Sequence, residues 1–387
     1  MAGTLALEEI AVIDNHCHAV ESDQQTDTAR WRRYFTESPD AVMQADDVAQ
    51  TALYRRLTRR MAKFYDVPND EAAVLAARNT HSTPALVESL FRDANIGGVV
   101  VDTGYPDPDR ALAVDTFVAA SRSSYRAMLR LEVTFEAMIA VYAGYHELVE
   151  ALEERLRDLR AEGYCGLKCI AGYRTGLSIQ RWPEGDARRA FAAARAELDA
   201  TGGVRLGHKA LSDTLLHIAF AAAAAQELPV QFHVGYGDPD ADLRSAAPLE
   251  LRAVLEDRSY RSMPIVLLHG CWPYFREGAY LAAVYGNVHL DLSYAIPFLS
   301  VGEMTSMTRA ALGAAPFTKL MYSSDGARVP ELHWLGALDG RRVLGRVLEE
   351  LIQDGDLDRD EARSTARMIL RGNAAKLYGF DGAHSDA

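Results

Sequence analysis

Cysteine is scarce in this chain: four in 387 residues, Cys17, Cys165, Cys169 and Cys271. They are too few and too scattered for a disulfide framework. Cys165 and Cys169 form a C-x3-C, but no second Cys/His pair follows at zinc-finger distance, so buried free thiols are expected. Positive charge is in deficit as well, with 41 Lys+Arg against 54 Asp+Glu and a net charge of −13. That deficit argues against nucleic acid or an anionic membrane as a partner, since both need clustered positive charge. No apolar run reaches the ~18–20 residues of a membrane span; the most apolar helical stretch, LLHIAFAAAAA (215–225), is short and built largely of alanine. The opening residues MAGTLALEEIAVIDNHCH have no basic start and turn acidic at Glu8 and Glu9, unlike a signal peptide. No internal repeat is evident, and no G-x-G-x-x-G follows the first apolar run, which removes the dinucleotide-binding fingerprint. The expectation is a cytoplasmic protein acting on a small molecule, alone or as a homo-oligomer.

What the sequence has is a recurring unit, in which a short apolar, β-branched run ends in polar residues and a helical stretch follows. The runs are AVID (11–14), GGVVVDTG (97–104), AMLRLEV (127–133), YCGLKCIAG (164–172), LPVQFHVG (228–235), PIVLLHG (264–270), NVHLDLS (287–293) and KLMYSSDG (319–326). Continuous apolar strands alternating with amphipathic helices imply parallel strands buried on both faces. Eight such units predict an α/β fold of the closed (β/α)8 TIM-barrel kind, with an open doubly wound sheet as the competing architecture. Residues 1–380 then form a single barrel domain and 381–387 a frayed tail. The polar, helical segment 21–95 is far longer than an ordinary βα loop. It is expected to be a helical insertion between strands one and two, a lid or subunit contact, with the basic run Arg55–Arg60 a solvated helix face.

In such a barrel the polar residues at the C-terminal strand ends converge on one catalytic face. His16 and His18 lie two apart, so in an extended segment both imidazoles project to the same side and can reach one metal ion. His233, His269 and Asp325 terminate the fifth, sixth and eighth runs. Burying unpaired imidazoles and carboxylates is costly, so their convergence demands a shared partner, and a divalent metal such as zinc suits this donor set. Lys168 lies inside the apolar run CGLKCI, where its ammonium must be neutralised or paired. Two solutions stand open: carboxylation to a carbamate able to bridge two metals, or an unmodified lysine paired with Asp325, with Glu132 or with a substrate carboxylate.

These residues, in this order and on these strands, resemble the amidohydrolase superfamily of metal-dependent (β/α)8 barrels. The H-x-H of strand one falls on His16 and His18, the strand-four lysine on Lys168, the strand-five and strand-six histidines on His233 and His269, and the strand-eight aspartate on Asp325. Longer stretches, among them KCIAGYRTGL (168–177), FHVGYGDPDADLRSAAPLELR (232–252) and MYSSDGARVPELHWLGA (321–337), resemble the amidohydrolase-2 branch found fused to glutamine-synthetase-like domains. The resemblance implies two divalent ions, zinc by expectation, held by His16, His18 and Asp325 on one side and by His233 and His269 on the other, with carboxylated Lys168 between. It implies hydrolysis of a C–N amide bond, γ-glutamyl and related amino-acid amides being the substrates in view, with Asp325 as general base and then acid. Tyr173, Arg174, Tyr236, Arg244, Trp272 and Arg328 sit just past the strand ends as candidates to line the substrate pocket. Arg174 or Arg244 could hold an α-carboxylate, against ordinary surface salt bridging as the alternative. The rival readings are a one-metal non-oxidative decarboxylase, which Lys168 weighs against, and a non-catalytic barrel, which would have eroded ligands.

Overall fold

The computed structural model describes residues 5–380, so the expected tail at 381–387 lies outside the described residues. Eight parallel strands run in sequence order around one sheet: β1 Val12–His18, β2 Ile96–Asp102, β3 Ser124–Arg130, β4 Tyr164–Cys169, β5 Val230–Phe232, β6 Ile265–Leu267, β7 Val288–Ser293 and β8 Leu320–Ser323. This is the predicted α/β barrel. The register lines up polar strand ends: His18 sits opposite Asp102, and Arg130 opposite Lys168. The seam between the last strand and the first is sewn by main-chain bonds from Asp325 N to His16 O (3.0 Å) and from His18 N to Gly326 O (2.7 Å). Asp14 adds its carboxylate to the seam, accepting from Ser324 N at 2.8 Å.

Two boundaries differ from the sequence reading. The third strand ends at Arg130, three residues before the expected end, and a helix, Leu131–Val141, begins at once. Leu131, Phe135 and Ile139 are all buried; that four-residue spacing is a helical face, and it overrides the β-branched look of LEV. Glu132 is therefore a helix residue. β5 and β6 are only three residues each, so His233 and His269 stand just beyond their strands, on the turns.

Segment 21–95 holds the helices Thr28–Arg32, Ala52–Tyr65, Glu71–Arg78 and Thr83–Asp93. Asp27, Thr51 and Asp70 cap the first three by accepting main-chain N–H bonds. The basic run is not simply a solvated face. Arg55 and Arg59 are exposed, but Arg56 and Arg60 reach the buried carboxylate of Asp339 at 2.7 and 2.8 Å. Asp339 lies on the long helix Pro330–Asp354, whose Glu331 is clasped by Arg78, both side chains fully buried and 2.6 Å apart. The guanidinium of Arg78 also lies over the Trp31 ring. Ion pairs thus fasten the segment to the barrel wall.

The other end of the barrel is plugged. Ile13, Val100, Met128, Cys165, Val266, Leu268 and Met321 form an interior cluster with Ala374, Ala375, Tyr378 and Phe380 from the C-terminal end of the described chain. The helix Asn373–Tyr378 carries this plug. All four cysteines are buried and free, as expected.

Candidate metal centre

The imidazoles of His16 and His18 rise from the end of β1, and the turn after β8 brings Asp325 to both. Asp325 Oδ1 lies 3.4 Å from His16 Nε2 and 3.5 Å from His18 Nε2, while its Oδ2 lies 3.3 Å from His269 Nδ1. His269 Nε2 is 2.9 Å from His233 Nδ1, and Lys168 Nζ is 3.3 Å from His16 Nε2. The six ligand candidates read from the sequence therefore meet at one place. His269 and Asp325 adopt left-handed backbone, φ 62° and 57°, which non-glycine residues rarely hold and which is concentrated at functional sites. Gly235, at φ 80°, makes the turn that lets His233 and Tyr236 both face the cavity; a Cβ there would strike the Trp272 carbonyl.

Hydrogen bonds behind the cavity fix the chemistry of His16. Gln231 gives its amide N–H groups to Asn15 O (2.7 Å) and Tyr378 Oη (2.8 Å). Its oxygen is left facing His16 Nδ1 at 2.8 Å. His16 must then carry its proton on Nδ1 and aim the Nε2 lone pair into the cavity, the tautomer a metal ligand needs. Tyr378 passes its own proton to Asn15 Oδ1 (2.8 Å), and Asn15 Nδ2 donates to Asp291 Oδ2 (2.7 Å). Asp291 in turn accepts from the His269 main-chain N–H (2.8 Å). One buried network ties two ligand positions to the plug below them.

Burial disfavours the charged form of three of these imidazoles. It lowers His16 to about 4, with Lys168 adding to the effect, and holds His233 and His269 well below the usual range. Burial alone would raise Asp325, but the neighbouring imidazoles of His269 and His18 outweigh it and hold the carboxyl well below its ordinary value. Burial lowers Lys168 to about 8. Its sequence-stated alternatives are narrowed by geometry: Glu132 accepts from Ile170 N (2.9 Å) and Cys169 Sγ (3.1 Å) instead. Asp102 is held bidentately by Arg130. Among the described residues no carboxylate comes within 4.0 Å of the Lys168 ammonium.

A cavity of about 570 Å³ opens above these groups. Tyr173, Arg174, Tyr236 and Arg328 line it, as expected from the sequence. Two other candidates do not. Arg244 is almost fully exposed and pairs with Asp242 two residues away, because the loop folds back on its own turn. Trp272 turns aside to donate to Glu303 (3.1 Å) and to pack on Phe298. Arg174 lines the cavity but is held by Glu136 at 2.9 Å, so neither arginine picked for a substrate carboxylate is free. Glu37, Tyr105 and Arg130 also line it. Arg130 and Asp102 were visible as polar strand ends, and Gln231 as an odd polar residue inside LPVQFHVG. Glu37 and Tyr378 gave no sequence signal.

A family model for amidohydrolases, Amidohydro_2, matches residues 13–380. The chain belongs to this amidohydrolase family. Protein fluG of Emericella nidulans is 28% identical over 95% of the chain, which spans only 45% of that longer protein. Among solved structures, a Lactobacillus casei protein described provisionally as a metal-dependent hydrolase is 26% identical. It superposes with a TM-score of 0.85, covering 96% of each chain. Glucuronate isomerase from Caulobacter crescentus, at 14% identity and TM-score 0.65, covers 97% of this chain and 92% of its own; it shows the shared fold alone. Membership implies a divalent metal ion, and the donor set of this amidohydrolase fits one. His16, His269 and Asp325 offer ligand atoms all within 4.8 Å of one another, and the buried His233 Nε2 has no hydrogen-bond partner. Orphaned imidazole nitrogens around a preset carboxylate are what a cation would satisfy. No described helix is long and apolar enough to cross a membrane.

Proposed function

We propose that this amidohydrolase cleaves a C–N amide bond of a small molecule, γ-glutamyl and related amino-acid amides being the first class to test. The single observation that carries the reading is the convergence of His16, His18, His233, His269 and Asp325 around Lys168, at the floor of a cavity of small-molecule size. In this reading His16, His18 and Asp325 would hold one divalent ion and His233 and His269 a second, zinc by expectation, and a carboxylated Lys168 would add an oxygen donor to the set. The lack, among the described residues, of a carboxylate within 4.0 Å of the Lys168 ammonium supports that modification, as does the lowered pKa, because carboxylation consumes the neutral amine. The bound ions would supply Lewis acidity for the scissile carbonyl and for the attacking water.

The protein residues handle the proton and the orientation. Asp325 accepts the proton released when water adds to the carbonyl carbon, then returns it to the nitrogen as the C–N bond breaks, leaving a carboxylic acid and an amine, between which the last proton passes to give carboxylate and ammonium. Tyr236 donates a hydrogen bond to Asp325 Oδ2, which fixes the carboxylate plane and leaves Oδ1 directed at His16 and His18. Gln231 keeps His16 in the liganding tautomer. His16, Lys168, His233, Tyr236 and His269 are themselves buried, so these interactions act at a lowered local dielectric.

Metal analysis of the purified protein, together with a panel of amides followed by release of free amine, tests this reading. Two equivalents of metal and amine release support it. One equivalent with loss of carbon dioxide from a carboxylate substrate would favour a decarboxylase, and no metal at all would refute the centre.

A further inference from the structure

The charged groups that line the cavity are nearly all committed to protein partners. Arg130 is held by Asp102, Arg174 by Glu136 at 2.9 Å, and Arg205 by Asp240 at 2.9 Å. Arg33 is exposed and turns back to Ala29 O. Asp238 is exposed and caps the main-chain N–H of Asp240. Lys168 lies at the floor with the histidines. Two groups of opposite sign remain, both partly buried.

One is Arg328, on the loop after β8. Its Nε is buried without a hydrogen-bond partner, and the nearest carboxylate, Glu21, is 4.0 Å away. Its guanidinium is stacked over Tyr105, 5.0 Å from the ring centroid. Its backbone is left-handed, φ 63°, a costly conformation that the main-chain bond from Arg328 N to Ala19 O helps to hold. The other is Glu37, delivered by the segment inserted after β1. Among the described residues its carboxylate has neither an ion-pair nor a hydrogen-bond partner. Arg328 is near enough to act on Glu37 electrostatically, yet the two do not pair within 4.0 Å.

We infer that Arg328 and Glu37 form a clamp for the zwitterionic head of an α-amino acid, Arg328 taking the carboxylate and Glu37 the ammonium. A stacked guanidinium with free N–H groups presents a fork to a carboxylate. An unpaired carboxylate in a largely desolvated cavity is pushed towards its neutral form, Glu37 to about 7 by burial, unless a cation or strong donors meet it. A single ligand carrying both charges on one carbon satisfies the two at once. The clamp rests on the cavity being the substrate site, and it explains specificity as rejection: a substrate lacking one charge leaves a partly buried protein charge bare. It also gives the inserted segment a recognition role, because the anionic half of the clamp lies there.

Isothermal titration of the metal-loaded protein with L-glutamate, glutarate and 4-aminobutyrate tests the clamp without requiring turnover. The three share a chain carboxylate and differ in the head, which is zwitterionic, carboxylate only or ammonium only. The wild-type protein should bind L-glutamate at least about tenfold more tightly than either analogue. Glu37→Gln should erase the advantage over glutarate and spare that over 4-aminobutyrate, and Arg328→Gln should do the reverse. Equal affinity of the wild-type protein for all three, or no binding of L-glutamate, overturns the clamp even if neither variant folds. Amide cleavage retained in that case would leave the hydrolase reading standing. Conversely, selective L-glutamate binding without any amide cleavage would sustain the clamp and sink the hydrolase reading.

Discussion

Tyr378→Phe removes one oxygen from the plug of the barrel, beyond the ligand residues themselves, and should weaken metal binding. The hydroxyl accepts from Gln231 Nε2 and donates to Asn15 Oδ1, each at 2.8 Å. Phenylalanine fills the same space, so the packing with Ile13, Val100 and Met321 is kept. Two buried polar atoms then lose a partner. An unsatisfied buried group costs about 1–3 kcal/mol, and Gln231 keeps its other bond to Asn15 O, so a total of about 2–4 kcal/mol of stability is expected. The second effect acts through His16. With one of its two N–H bonds gone, the Gln231 amide can rotate, and its hold on His16 Nδ1 loosens. Groups that orient metal ligands typically contribute 10–100-fold to affinity; one step further removed, about tenfold is expected, or about 1.4 kcal/mol. Competition with a chromogenic chelator measures the metal affinity, and chemical denaturation of the metal-free protein measures stability. Phe380→Leu is the control, since it loosens the same plug without touching Gln231 and should lower stability alone. If Tyr378→Phe loses stability but binds metal within a factor of two of the parent, or if Phe380→Leu weakens metal binding equally, the relay from plug to ligand does not exist.

Three further outcomes are expected. Lys168→Ala should bind less metal, and short carboxylic acids should partly restore it, whereas an unmodified ammonium in a fully metallated crystal would rule out the carbamate. Asp325→Asn keeps an oxygen donor but removes the base, so kcat on the best amide should fall by at least ~10²–10⁴-fold; turnover within a few-fold of the parent in a metallated variant would refute its proton role. Arg78→Ala leaves the fully buried Glu331 without its partner and should cost about 3–5 kcal/mol in urea unfolding. A loss below about 1 kcal/mol would show that the inserted segment is not fastened through this pair.

The barrel and the convergence of its polar strand ends were readable because both depend on local pattern. Each strand is a short apolar run, and each converging side chain belongs to the polar residues that terminate one, so His16, His18, His233, His269 and Asp325 announced themselves by breaking hydrophobicity. Lys168 stood out by the same logic inside its run. What could not be read depends on contacts between distant segments. Arg244 and Arg174 are suitable in kind for a carboxylate, but Asp242 and Glu136 already occupy them, and no spacing rule reveals that. Arg56 and Arg60 belong to an ordinary basic helix until Asp339, far along the chain, is placed beneath them. Glu37 is one acidic residue among 54 Asp+Glu in the sequence; only the path of the inserted segment singles it out. The third strand was misplaced because LEV satisfies the composition of a strand and the spacing of a helix, and packing chose the helix.

The seam of the barrel carries a consequence for the order of events during synthesis. His16 and His18 are made first, and the residues that close on them, Asp325 and Gly326, emerge more than three hundred residues later. A growing chain therefore displays two imidazoles long before their carboxylate exists, and the same backbone bonds that shut the barrel are the ones that bring Asp325 to them. Ring closure and the meeting of these side chains are one step, which waits until the eighth strand has been made. The intervening strands must therefore pair and pack before the two imidazoles and the carboxylate can share a partner, so in the function proposed above a divalent ion would load onto a finished barrel.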